Sequence, residues 1–201
     1  RKYPLLVYVY GEPAGQVVRD SWGGSSHLWH LMLAQQGYVI MSFDNRGTAS
    51  PRGRGWRKAA DRKIGILPPQ DQAEAVRSVL KNRPYLDPSR VGSWGWSGGG
   101  SMSLNAIFKF PDLYSAAIAV ASVPNQRHYD TIYQERYMGL PGQNLKGFKE
   151  GSPINFAQQL KGDLLIVHGA VDDNCHYQTF EKLIDKLVSH NKTFSMMTYP
   201  R

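Results

Sequence analysis

Apolar residues along this chain alternate between short continuous runs and stripes at helical spacing. That is the pattern of a mostly parallel sheet with helices on both faces. Leu5 to Tyr10 reads as an apolar strand closed by Gly11-Glu12-Pro13, and Ser26 is placed to cap a helix from His27 to Gln36 that Gly37 ends. Tyr38 to Phe43 predicts the next strand, with Asp44-Asn45-Arg46-Gly47 as its exit turn. Pro69 opens a helix through Asp71, Ala75, Val79 and Leu80 that stops near Pro84. Val91 to Trp96 reads as a buried strand, Met102 to Phe110 as an amphipathic helix and Ala116 to Ala121 as a strand. An excursion from Pro124 to Leu160 is rich in Gly, Pro and Tyr. After it the pattern predicts a strand over 164–167, a helix over 177–189 and a last strand over 193–199.

With 201 residues, 41% of them hydrophobic, the chain can bury one sizeable core as a single domain. No apolar run approaches the roughly 18 residues of a membrane span. The start, Arg1-Lys2-Tyr3-Pro4, enters a strand at once without a signal-peptide pattern and reads as an internal cut. A single cysteine, Cys175, excludes an internal disulfide. The net charge of +8 gathers at Arg46, Arg52, Arg54, Arg57, Lys58, Arg62 and Lys63, opposed within that stretch by Asp61 alone. A run of this kind reads as a solvated or partner-facing surface rather than a nucleic-acid site.

The chemistry concentrates at Ser97. Gly95-Trp96-Ser97-Gly98-Gly99 stands between a predicted strand and a predicted helix, the setting of a G-x-S-x-G nucleophile elbow. A serine hydroxyl is a weak nucleophile until it is exposed, positioned and relieved of its proton. Small residues on either side allow the close strand–helix packing that exposes it, and the N–H of Gly98, at a helix start, can receive an oxyanion.

In parallel α/β sheets, sites form beyond the carboxyl ends of the strands. Three loops there carry chemistry: Tyr10-Gly11, Ser97-Gly98 and Val171-Asp172-Asp173-Asn174. The last offers a carboxylate in the chain order Ser, Asp, His. Either aspartate could instead cap the helix that follows, and spacing does not choose between them. Only His176 and His190 follow this acid. The first stands beside it and the second lies at the far end of the next helix, so neither is a good base for Ser97. The base belongs in the loop after the 193–199 strand, two residues into which the chain stops, and truncation is the expected explanation.

Three motifs resemble the prolyl oligopeptidase family: Gly95-Trp96-Ser97-Gly98-Gly99, Ser42-Phe43-Asp44-Asn45-Arg46-Gly47 and His168-Gly169-Ala170-Val171-Asp172-Asp173-Asn174. The segment from Tyr129-Asp130-Thr131-Ile132-Tyr133 to Gly139 resembles the dipeptidyl peptidase IV branch. The resemblance runs the length of the chain. It implies an α/β-hydrolase fold, truncated at both ends, from a serine peptidase in which a β-propeller precedes this domain and a histidine loop completes it. It implies Ser97 as nucleophile, Asp172 rather than Asp173 as the triad acid, and Tyr10 with the Gly98 N–H as the oxyanion hole. A phenol with pKa about 10 stays protonated and can donate to that charge. Tyr129 and Tyr133, one helical turn apart, would wall a pocket for proline or a small residue before the cleaved bond. Val123 and Cys175 would complete the wall, and Asn174 would contact the substrate carbonyl. Cys175 stands where relatives usually carry valine, Gln126 where some carry tryptophan, and Ala170 where threonine is common.

The implied partner is a peptide substrate, with a homodimer through this domain as a further implication; no cofactor is implied. His27 and His30 lack a third ligand for a metal, and Cys175-His176 point apart on a helix. Alternatives within the family are acylaminoacyl-peptidases and oligopeptidases; outside it, a non-catalytic α/β-hydrolase domain used for binding or assembly.

Overall fold

The computed structural model describes residues 1–13 and 15–200. Six strands form one sheet in the order β2-β1-β3-β4-β5-β6, every neighbouring pair parallel. They are β1 (Tyr3–Tyr8), β2 (Val39–Met41), β3 (Leu86–Trp96), β4 (Ala116–Val120), β5 (Asp163–Gly169) and β6 (Ser195–Tyr199). The helices are α1 (Gly24–Gln35), α2 (Gly53–Lys58), α3 (Leu67–Asn82), α4 (Gly98–Lys109), α5 (Thr131–Met138), α6 (Leu145–Gly151) and α7 (Tyr177–Ser189). This is the α/β-hydrolase architecture that the alternating pattern and the motifs predict.

Period-two alternation along the strands sends side chains to opposite faces. On one face Leu5, Val7, Val91, Ala117, Ala119, Leu164 and Ile166 pack beneath α3, α4 and α7, whose Val76, Leu104, Ile107, Phe108, Phe180, Leu183 and Leu187 are buried. On the other face α1 covers the middle of the sheet through rings: Tyr8 stacks on Trp94 at 4.7 Å and Trp29 meets Trp94 edge-on at 4.8 Å. The Trp94 indole N–H donates to His30 Nε2 at 3.0 Å. That nitrogen is committed to packing rather than to a metal shared with His27.

Several boundaries differ from the periodic pattern. Helix α1 starts at Gly24 with no side-chain cap, so Ser26 lies inside the first turn instead of capping it. Strand β3 begins at Leu86, because its pairing with β1 jumps from Tyr3–Leu86 to Leu5–Val91 and the bulge absorbs the intervening polar residues. The excursion is organised: α5, α6 and short 3₁₀ turns close around Ile64, Met138 and Phe148.

The strand–helix corner leaves no room for side chains at two places. A Cβ on Gly95 or Gly99 would collide with the Val9 carbonyl oxygen, a backbone atom that cannot rotate away. Gly99→Ala should therefore destabilise the folded chain by about 3 kcal/mol, the scale of a severe overpacking. An unfolding free energy from urea denaturation within about 0.5 kcal/mol of the parent would show that β1 yields easily.

Candidate functional site

Ser97 joins β3 to α4 with φ 56° and ψ −117°, a conformation rare for a residue with a side chain. It is held there from both sides. Its N–H donates to the Val120 carbonyl at 2.8 Å, and its carbonyl accepts the Ser101 N–H at 3.0 Å. Ser101 Oγ also accepts the Val123 N–H at 2.9 Å, which ties the β4 exit to the same corner. Gly98, first residue of α4, has an N–H with no acceptor one turn earlier.

The β1 exit lies over this corner. Asn45, buried after β2, donates from Nδ2 to the Gly11 carbonyl at 2.9 Å and accepts at Oδ1 from Gln72 of α3 at 3.0 Å. Asp44 accepts the N–H groups of Val17 and Val18. Arg46 forms a two-toothed pair with Asp71, at 2.9 and 2.6 Å. The Asp44-Asn45-Arg46 turn thus fixes the loop that presents Tyr10 and Glu12. Gly15 lies flat against the Tyr10 ring, where a Cβ would collide with it. Burial, and then the neighbouring Glu12, push the Tyr10 phenol up to about 12, so it keeps its proton at any physiological pH.

Glu12 is the residue that sequence reasoning missed. It is 8% exposed, and its Oε2 accepts the Tyr133 hydroxyl at 2.6 Å. Its carboxyl also lies 2.8 Å from where a Gly98 side chain would begin. Burial pushes it up from an ordinary 4.5 to about 6, against the opposing hydrogen bond from Tyr133. The sequence showed only a Gly-Glu-Pro strand end; an acidic residue there becomes unusual once the loop is known to be buried.

Tyr129, Tyr133 and Tyr137 form a ladder of edge-on rings, at 5.4 and 4.8 Å between centroids. Asp130 caps α5, accepting the Tyr133 N–H at 2.8 Å. Tyr129 donates its hydroxyl to Asn174 Oδ1 at 3.1 Å, joining the ladder to the β5 exit loop.

In that loop the two aspartates separate. Asp172 Oδ1 accepts the N–H groups of Asn174 and Cys175 at 3.0 and 2.8 Å. Asp173 is exposed, and neither aspartate caps α7, whose N-cap is His176. His168, fully buried, donates from Nε2 to the Cys175 carbonyl at 2.5 Å and stands 3.6 Å from Asp172 Oδ2. It locks the loop from below. Cys175 is buried beside the Ser97 hydroxyl; burial first, and Asp172 next, push its thiol up to about 11, so it is a neutral wall rather than a nucleophile.

Tyr10, Ser97, Gly98, Tyr129, Tyr133, Asp172, Asn174 and Cys175 are therefore brought to one end of the sheet. Val123 is buried at the β4 exit, and Gln126 turns inward to accept from Gln134 at 2.8 Å. Among the described residues no histidine hydrogen-bonds the Ser97 hydroxyl; His176 is exposed and His190 ends α7. The basic stretch is less unopposed than the sequence suggests, since Asp71 takes Arg46. Arg54, Arg57 and Lys58 line a cleft of about 560 Å³ with Asp61 and Arg136.

The family model of the prolyl oligopeptidase family matches residues 25–201. Human dipeptidyl peptidase 8 is 36% identical over 204 residues, covering 100% of this chain and 23% of that protein. Bovine prolyl endopeptidase FAP is 38% identical over 203 residues, covering 99% and 26%. The crystal structure of Porphyromonas gingivalis dipeptidyl peptidase 4 superposes with a TM-score of 0.94 at 39% identity, covering 99% of this chain and 28% of that one. The chain thus spans about a quarter of the length of the curated relatives it matches.

Glu12 makes a measurable demand on stability. The folded state holds its proton more tightly than the unfolded chain, so ionising it costs stability as pH rises from 4.5 through 6. Above that range the cost is complete, at about 2 kcal/mol. Glu12→Gln keeps an acceptor for Tyr133. It should raise stability at pH 8 by about 2 kcal/mol and change it little at pH 4, as read by urea denaturation. Equal effects at both pH values would refute this account.

Proposed function

The chain belongs to the prolyl oligopeptidase family, and from that premise we propose that it is the catalytic core of a serine peptidase. It would cleave after proline or a small residue and, in the full-length protein, release N-terminal dipeptides. The observation that carries the reading is the strained serine at the strand–helix corner, with a protonated phenol and a free helix-start N–H beside it. Ser97 attacks the peptide carbonyl, and its proton passes through an imidazole to the leaving amine. Water then releases the acyl group by the reverse proton path. Tyr10 and the Gly98 N–H receive the oxyanion. Asp172, already oriented by two backbone N–H groups, orients the imidazole.

Tyr129 and Tyr133, with Val123 and Cys175, wall the pocket. The Tyr129 hydroxyl occupies Asn174 Oδ1 and leaves the Asn174 amide group to donate to a substrate carbonyl. The dipeptidyl mode draws its support from the names of the relatives alone.

A rival reading, a non-catalytic domain used for binding or dimer assembly, has one observation in its favour: no histidine among the described residues reaches Ser97. The two readings separate experimentally. The full-length protein should cleave a Gly-Pro anilide, Ser97→Ala should abolish that cleavage, and Tyr10→Phe should lower kcat about 100-fold. Cleavage that survives Ser97→Ala would refute the serine mechanism. The 201 residues by themselves should react with a fluorophosphonate far more slowly than the full-length protein. Labelling at equal rates would instead make His176 the base to test.

A further inference from the structure

Glu12 has no task in the hydrolysis just described, and its surroundings do not satisfy it. Its side chain is almost wholly enclosed, yet among the described residues it has no cationic partner and accepts one hydrogen bond, from Tyr133 to Oε2. After burial, its charge is a further cause that pushes up the phenols of Tyr10, Tyr129 and Tyr133 and the thiol of Cys175, all uncharged hydrogen donors or walls. A buried carboxylate ordinarily meets a cation or several donors. The carboxyl stands between Gly98, which follows the nucleophile, and Tyr133, which walls the pocket, and among the described residues its Oε1 accepts no hydrogen bond.

The space around it is short. The carboxyl already fills the position that a side chain at residue 98 would take. A compact residue with a single donor fits both the tyrosine walls and the free oxygen.

Resting on the peptidase reading, we propose that Glu12 is a specificity-determining residue that selects a hydroxyl-bearing compact residue before the cleaved bond, hydroxyproline over proline. The substrate hydroxyl donates to Oε1. A plain pyrrolidine ring strips water from that oxygen and returns nothing, so it pays a desolvation cost that the hydroxylated ring avoids. The same donor also draws off negative charge that otherwise faces the developing oxyanion at Tyr10 and Gly98.

The test compares kcat/KM of the full-length protein on Gly-hydroxyprolyl, Gly-prolyl and Gly-lysyl anilides, in the parent, Glu12→Gln and Glu12→Gly. The parent should favour hydroxyproline over proline by about 10- to 100-fold, the range of one hydrogen bond to a charged acceptor. Glu12→Gly should bring that ratio to about 1, chiefly by accelerating the prolyl substrate, and Glu12→Gln should fall between. A parent ratio near 1, a ratio that survives Glu12→Gly, or a preference for lysine over both rings would each overturn the proposal. Cleavage of none of the three, together with no fluorophosphonate labelling of Ser97, would instead refute the peptidase reading beneath it.

Discussion

The contact between the Val9 carbonyl and the two glycines flanking Ser97 sets the position of everything functional in this molecule. With no side chain between them, the β1 exit and the start of α4 lie in direct backbone contact. That contact carries Tyr10 and Glu12 to the same few ångströms as Ser97. It also forces Ser97 into a conformation that the chain would abandon if Val120 and Ser101 did not bind its backbone on both sides. Strain of this kind persists only where its surroundings overdetermine it.

The rest of the site is organised by hydrogen bonds that each join two loops. Asn45 links the β1 exit to the β2 exit and α3, Ser101 links the corner to the β4 exit, and Tyr129 links α5 to the β5 exit. His168 holds the Asp172–Cys175 loop from within the core. Loops that would each be mobile alone are thereby fastened into one wall. The wall is made of phenols, a thiol and backbone groups. Burial first, and the Glu12 carboxylate after it, push up the Tyr10 and Tyr133 phenols and the Cys175 thiol, the last with Asp172 acting ahead of Glu12.

Much of this was legible in the residues themselves. The period-two runs at Leu5 and Leu164 and the 177–189 helix stand where the pattern predicts, since each buries one continuous apolar face. The Gly95–Gly99 motif announces its corner because only glycine tolerates that approach. Boundaries were less legible where a feature has no local signature. The bulge that lengthens β3 depends on pairing with β1, and α1 starts at Gly24 without a side-chain cap to mark it.

By itself the sequence determined the fold class, the corner serine, the loops that carry Tyr10 and Asp172, and the family. Those signals are local: a few residues at fixed spacing whose backbone or chemistry admits few substitutes. The tertiary structure decided which of two adjacent aspartates faces inward, which histidines are committed to packing or to a loop, and that Glu12 is buried without a cationic partner among the described residues. His30 and Glu12 depend on contacts more than sixty positions apart, and the Asp172 turn on the buried place that the closed core gives His168 beneath it. Neither exists along a chain until it has closed on itself.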